Sequence, residues 1–105
     1  MTFSLKAANI KTFDLPVKYD ELPYQDRRAV REQYVRFQEG LCYYCKEPLR
    51  GSPSADVQNK KIYRSLFPNN FFKYPVHLHH CHKTGMTIGA VHNKCNAVLW
   101  QYHGE

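Results

Sequence analysis

Four histidines crowd one short stretch near the end of the chain: His77, His79, His80 and His82. Neighbouring imidazoles repel one another when both are protonated, so we expect some of this group to stay neutral near pH 7. A neutral imidazole can act as a general base or as a metal ligand. The alternative is a solvated, partly stacked run of histidines.

Two further pairs have the spacing of metal ligands, Cys42-Tyr-Tyr-Cys45 and His92-Asn-Lys-Cys95. Three thiolates and one imidazole can close a tetrahedron around zinc. We predict that these four residues bind a structural Zn²⁺ that ties a long helix to the C-terminal helix. The alternative is that Cys42 and Cys45 are thiols and that His92 is a surface side chain. Cys81 could replace His92 as a ligand, but it has no partner at this spacing, and we interpret it as a small buried residue.

The charge of the chain is unevenly distributed. The chain has fifteen basic and nine acidic residues, and beyond Asp56 the only acidic residue is Glu105. A basic, histidine-rich half with aromatic residues favours a polyanion partner, most simply a nucleic acid. A solvated basic surface is the simpler alternative. The candidate phosphate contacts are Arg27, Arg28, Arg31, Lys83 and Lys94.

The chain shows no sign of membrane insertion or export. Its longest unbroken apolar run is Ala97-Val98-Leu99-Trp100, and a bilayer span needs about 20 residues. No signal peptide is evident at the N-terminus. We therefore expect a protein of the reducing cytoplasm without membrane contact, in which cysteines bind metals or remain thiols. Both a monomer and a homodimer remain open.

Apolar periodicity predicts one long helix over residues 24–39, ended by Gly40. Its apolar stripe comprises Val30, Tyr34, Phe37 and Leu41. The residues before it, 1–19, are expected to form an extended arm or a short strand on the core.

The C-terminal half reads as two short strands followed by a helix. The strands are predicted at 76–80 and 86–91, around a Lys83-Thr84-Gly85 turn. The helix is predicted at 96–102, with Ala97, Val98 and Trp100 as candidate buried contacts. A short helix is also expected at 60–67.

The order of these residues resembles the HNH endonuclease family, in particular its recombination endonuclease VII-like branch. The segments that carry the resemblance are His79-His80-Cys81-His82-Lys83-Thr84-Gly85, then Gly89, then His92-Asn93-Lys94-Cys95-Asn96-Ala97-Val98-Leu99. The branch typically has D-H-x-H-x-T-G-x-x-R-G followed by C-x-x-C-N-x-x-L. Upstream, the segment 34–45 with Pro48-Leu49 resembles the helix and Q-x-G-x-C-x-x-C lead-in of the family. The resemblance covers about residues 30–102, and residues 1–25 and 50–75 match no pattern of the family.

The resemblance implies an α+β fold, a small zinc-stapled ββα-metal (His-Me finger) domain with an N-terminal helix. It divides the chain into an N-terminal arm, 1–25, and a nuclease domain, 26–105. By position, His80 would be the general base that activates water. His79 and Asn96 would hold a catalytic divalent ion (Mg²⁺, Mn²⁺, Co²⁺ or Ni²⁺). His82 would steady the scissile phosphate or the leaving oxygen, and these groups together meet the needs of phosphodiester hydrolysis.

The sequence departs from the family pattern at three positions. His79 replaces an Asp, His92 replaces a Cys, and Ile88 replaces an Arg that would contact phosphate. The function we expect is a metal-dependent DNA endonuclease that nicks or cuts duplex or branched DNA. The alternatives are a catalytically weak, zinc-stabilised nucleic-acid-binding module and a zinc-stabilised protein-interaction domain, which would not bind DNA at moderate salt.

Overall fold

The computed structural model describes residues 12–104 as a small α+β arrangement. Two antiparallel strands pack against helices, and single 3-10 turns occur at Tyr19–Glu21 and Arg64–Leu66. In chain order the elements are α1 (Tyr24–Phe37), α2 (Ala55–Gln58), β1 (Val76–His80), β2 (Thr87–His92) and α3 (Asn93–His103).

The two strands form a hairpin that runs directly into α3. Leu78 pairs with Ala90 and His79 with Gly89, and the register then shifts so that His80 pairs with Thr87. The turn is closed by a hydrogen bond from the Gly85 amide, at φ 78°, to a carbonyl four residues earlier. The strands and the turn were predicted to within one residue at each end.

The segment before α1 packs on the open edge of this hairpin. The Val17 amide donates to Thr87 Oγ1 (3.0 Å), and the Thr87 amide donates to the Val17 carbonyl (2.8 Å). The Tyr19 amide donates to the Gly85 carbonyl (2.8 Å). Residues 17–19 of the expected arm therefore pair with the hairpin in the manner of a short strand, while residues 1–11 lie outside the described part. The division at residue 25 stays a prediction.

Helix α1 buries a narrower stripe than its sequence predicts. Val30 and Tyr34 are buried, but Phe37 is 69% exposed and Gln33 is only 6% exposed. The Gln33 side-chain amide exchanges two hydrogen bonds with the backbone of Phe13 (2.9 and 2.8 Å). The N-terminal segment thus covers the polar flank of α1, and the last turn of the helix, with Phe37, projects beyond the core.

Helix α3 begins three residues earlier than predicted and buries Ala97 and Val98 completely. Trp100, which was predicted to be buried, is 41% exposed. Its ring contacts Phe67 edge-on (centroids 5.4 Å apart), in the loop that precedes β1. The short helix expected at 60–67 is reduced to the 3-10 turn at Arg64–Leu66, since this loop packs through its aromatic side chains.

Among residues 12–104 we find no helix that combines the length and the apolar character needed to cross a bilayer. The cytoplasmic location stays a prediction.

Candidate functional site

The two ligand pairs meet in one buried cluster that could hold zinc. One donor atom from each of Cys42, Cys45, His92 and Cys95 lies within 4.8 Å of every other. His92 Nδ1 is 3.5 Å from the Cys45 sulfur and 3.6 Å from the Cys95 sulfur. A tetrahedral zinc with Zn–S of about 2.3 Å and Zn–N of about 2.05 Å would place nitrogen and sulfur about 3.6 Å apart. The donor atoms therefore have the spacing of a shared zinc ion.

The tautomer of His92 suits a metal ligand. Its Nε2–H donates to the carbonyl of Pro48 (2.9 Å), so the lone pair of Nδ1 faces the three sulfurs. Such an outer hydrogen bond orients the imidazole and raises its basicity towards a metal. The carbonyl belongs to the Pro48-Leu49 pair that was noted from sequence as part of the family lead-in.

Charge in the cluster also favours a cation. A hydrogen bond from the Cys95 thiol, helped by backbone amides, lowers the pKa of Cys42 to about 4. The same hydrogen bond and burial raise the pKa of Cys95. Without a metal, one thiolate therefore keeps its neighbour protonated, because several buried negative charges would repel one another. A divalent cation would offset this repulsion between negative charges and allow all three sulfurs to be thiolates.

Gln38 and Gly89 hold the first ligand pair against the sheet. The Gln38 amide accepts from the Ala90 amide (2.8 Å) and donates to the carbonyls of Ala90 (2.9 Å) and Leu41 (2.7 Å). The Tyr43 amide adds a bond to the Ala90 carbonyl (2.9 Å). The loop that carries Cys42 is thus paired to β2, and Gly89 leaves room for this close approach.

The histidine stretch forms a second centre around Asn96. His79 is only 2% exposed, and its Nδ1 lies 3.1 Å from Asn96 Oδ1. The Asn96 amide nitrogen donates to Nδ1 of His77, also at 3.1 Å. Burial, followed by the nearby Arg31 charge, lowers the pKa of His77, which keeps its ring neutral and able to accept. The side chain of Asn96 is therefore held at both ends, with its oxygen towards His79.

His80 lies beside this pair in an aromatic setting. Its ring stacks on Tyr19 (centroids 4.0 Å apart, planes within 8°) and meets the His82 ring edge-on at 5.1 Å. Burial, followed by the charges of His82 and His79, lowers the pKa of His80, and the carboxylate of Asp20 opposes this shift. His80 is half-buried and His82 is exposed, so both can be reached from solvent.

The first turn of α3 joins the two centres. Cys95 belongs to the sulfur cluster, and the next residue, Asn96, belongs to the histidine centre. Successive helical side chains project about 100° apart, so adjacent residues serve different sides of the helix. A change in the position of α3 would therefore disturb both centres.

The five predicted phosphate contacts are not all in one place. Arg27, Arg28 and Arg31 line the same open cleft as the histidines, although Arg28 is also paired with Glu32 (3.0 Å). Lys83 is exposed in the hairpin turn and Lys94 donates to the carbonyl of Gln58 (2.6 Å), and neither lines that cleft. The structure thus groups the arginines with the histidines and leaves the lysines outside.

The cleft has a volume of about 1090 Å³ and lies between α1, β1 and the 66–74 loop. His77, His79, His80, His82 and Asn96 line one part of it. None of its described lining residues is acidic. Asp20, an acid from the N-terminal segment, acts on His80 without lining the cleft.

Three residues near these centres were not assigned a role from sequence. Tyr19 stacks on His80, His77 orients Asn96, and Gln38 binds β2. Two of them carried a signal, His77 as a member of the histidine group and Gln38 as the glutamine of the Q-x-G-x-C-x-x-C lead-in. Tyr19 could not have been found, because nothing local indicates that the arm returns to the hairpin turn.

Comparison of the chain with protein-family models, with curated proteins and with solved structures returned no match. The resemblance to the HNH endonucleases accordingly rests on the motif residues themselves.

Proposed function

We propose that the protein is a metal-dependent HNH DNA endonuclease with a ββα-metal unit formed by β1, β2 and α3. The observation that carries this proposal is the approach of His79 and Asn96 to 3.1 Å across 17 positions of sequence. His80 is the last residue of β1 and lies in a cleft that three arginines line. In this proposal β1 and α3 carry the base and the two metal ligands in the order of the family motif, and α1 supplies the phosphate-binding arginines.

The spacing of the two ligand atoms supports one shared ion. Two neighbouring ligands of an octahedral ion, each at about 2.1 Å, lie about 3.0 Å apart. In the structure a hydrogen bond from His79 Nδ1–H to Asn96 Oδ1 joins these two atoms at 3.1 Å, and a bound ion would replace its proton. The hydrogen bond to His77 keeps the oxygen of Asn96 on that side. A divalent ion at this position would neutralise charge on the scissile phosphate and on the leaving 3′ oxygen.

The residues of the chain supply the remaining chemistry. His80 accepts a proton from the attacking water, which its lowered pKa favours because the ring is neutral near pH 7. The stack on Tyr19 fixes the plane of the ring. His82, whose ring lies edge-on to that of His80, steadies an oxygen of the scissile phosphate. Arg27 and Arg31 position the DNA strand in the cleft.

The sulfur cluster supports a structural role for zinc within the same proposal. It lies where α3, β2 and the loop after α1 meet, and it contains no residue of the histidine centre. Zinc there would fix α3, and with it Asn96, relative to β1.

The test is supercoiled-plasmid cleavage by His80→Ala. We expect turnover to fall by about 10²–10⁴, the usual contribution of a general base, with DNA affinity and thermal unfolding nearly unchanged. His103→Ala is the matched control, because that histidine lies at the exposed end of α3 against Tyr44. Cleavage by His80→Ala at the wild-type rate would place the base elsewhere.

A catalytically weak nucleic-acid-binding module is the second candidate. It is favoured by the absence of an acidic group among the described residues that line the cleft, and by Ile88 at the family's arginine position. Such a module would bind DNA but leave plasmid intact with every divalent ion. A protein that cleaves and loses cleavage with His80→Ala excludes this candidate.

A further inference from the structure

The cleft beside the histidines has a second wall that the family motifs do not include. This wall is the loop of residues 66–74, which supplies Phe67, Phe71 and Tyr74, with Trp100 of α3 beside it. Phe67 contacts both Phe71 (4.6 Å) and Trp100 (5.4 Å), so the inner rings support one another. The outer rings are partly open to solvent, since Tyr74 is 58% exposed and Trp100 is 41% exposed. The Lys73 ammonium lies over the Tyr74 ring (5.5 Å to the centroid), and a stacked base would displace this flexible side chain.

Hydrogen bonds from α3 hold this wall in place. Asn93 donates to the carbonyls of Phe72 (3.2 Å) and Tyr74 (3.0 Å). In the segment that leads into the loop, the carbonyl of Lys61 accepts from the Gln101 side chain (3.0 Å). The aromatic faces are therefore part of the folded structure and not of a free loop, which reduces the entropy lost when a ligand binds.

The opposite wall belongs to α1 and is basic. Arg27 and Arg31 line it, and Tyr24 at the entrance is 81% exposed. A ligand with negative charge along one edge and flat apolar faces along the other would complement both walls. A polynucleotide strand has this chemistry when its bases are unpaired, because pairing and stacking hide the base faces of a duplex.

The geometry points to a binding site for an unpaired DNA strand in this cleft, with bases stacked on Tyr74 and Trp100 and phosphates facing Arg27 and Arg31. The inference rests on the proposed function for the identity of the nucleic acid and for the site of cleavage. It adds that the loop before β1 selects single-stranded or locally opened DNA next to the histidine centre. Its binding part can be tested without any cleavage.

The sole tryptophan of the chain provides the direct readout. The full chain, with its zinc and without added divalent ions, is titrated with a (dT)12 oligonucleotide and with a hairpin duplex of equal phosphate number. We expect (dT)12 to bind several-fold more tightly and to quench Trp100 fluorescence, whereas the duplex leaves the fluorescence nearly unchanged. Equal or tighter binding of the duplex, or binding of (dT)12 without quenching, would overturn the assignment.

Two variants of Tyr74 separate stacking from folding. Tyr74→Ala should weaken (dT)12 binding by about 5- to 150-fold, the equivalent of ~1–3 kcal/mol for one stacked base. Tyr74→Phe should bind like the wild type, because stacking requires the ring and not the hydroxyl. The matched control is Tyr63→Ala, since Tyr63 is 52% exposed, precedes the same loop and does not line the cleft.

The failure of this inference can be distinguished from failure of the proposed function. If His80 is required for cleavage but Tyr74→Ala and Tyr63→Ala bind (dT)12 equally, the stacking site is wrong and the nuclease remains. If (dT)12 binds and Tyr74→Ala weakens that binding, but the plasmid is never cleaved, the binding site for an unpaired strand is supported and the proposed nuclease activity is wrong.

Discussion

At the scale of single residues, the side chain of Asn96 connects the histidine centre. Its oxygen lies 3.1 Å from His79 Nδ1, and its nitrogen donates to His77 at the same distance. Because His77 accepts from the amide nitrogen, the oxygen is turned towards His79 and accepts a hydrogen bond from its Nδ1–H. At position 79 the family motif has a carboxylate, and this chain has an imidazole. The imidazole is the softer of these two metal ligands.

If His79 and Asn96 bind the ion, as the proposed function has it, their chemistry determines which ion should support cleavage. Mg²⁺ prefers hard oxygen ligands in near-ideal octahedral geometry, whereas imidazole suits later transition metals. Within the proposed function, we expect Mn²⁺, Co²⁺ or Ni²⁺ to support at least as much cleavage as Mg²⁺ at equal concentration. His79→Asp should move the preference towards Mg²⁺, measured as rates on supercoiled DNA with each ion. A strong Mg²⁺ preference in the wild type that the substitution leaves unchanged would remove His79 from the ligand set.

At the scale of elements, the packing of strand β2 depends on the close contact of Gly89 with Gln38 and Tyr43. A Cβ at Gly89 would lie 2.8 Å from Gln38 Oε1 and 3.0 Å from two atoms of Tyr43. Gln38 cannot retreat without losing its hydrogen bonds to Ala90 and Leu41. The absence of a side chain at Gly89 therefore lets the zinc-ligand loop pack against the sheet.

Gly89→Ala should lower the free energy of unfolding by about 1–3 kcal/mol, because the added methyl group overpacks this contact. Denaturant titration at a fixed zinc concentration measures the change. Gly51→Ala is the matched control, since its new Cβ would meet no atom closer than 3.9 Å. Equal unfolding free energies for the two variants would contradict the packing argument.

At the scale of the whole molecule, the buried core is small and the sulfur cluster lies within it. Cys42 and Cys95 are both almost completely buried, and the core around them includes Val30, Ala90 and Val98. A domain of about this size buries only a modest part of its surface on folding, so a metal held by this cluster would contribute strongly to its stability.

Cys95→Ser should prevent stable folding, or lower the unfolding temperature steeply, because zinc affinity contributes to the free energy of folding. Circular dichroism with metal analysis provides the measurement, with one zinc per chain expected in the wild type. Cys81→Ser, outside the cluster, serves as the control and should keep the zinc. A folded, zinc-free wild type would show that the cluster is not a metal site.

The sequence by itself was sufficient for the features that depend on short spacing. Two residues between ligands allow Cys42 and Cys45, and likewise His92 and Cys95, to reach one ion from a tight turn, so the cluster could be predicted. Helix α1, the hairpin of β1 and β2, and helix α3 could be predicted from local periodicity and turn residues. The proposed ligands and base came from a motif whose residues are close together in sequence.

Only the tertiary structure determined which distant segments meet. Nothing local to Tyr19 indicates that it stacks on His80, and nothing local to the 66–74 loop indicates that it forms a wall of the histidine cleft. The exposure of Phe37 and Trp100 likewise departs from their apolar spacing. Periodicity specifies the side of a helix on which a residue lies, but burial depends on what packs against that side. In this protein the N-terminal segment and the loop before β1 determine which helix residues are buried, through contacts between residues that are far apart in sequence.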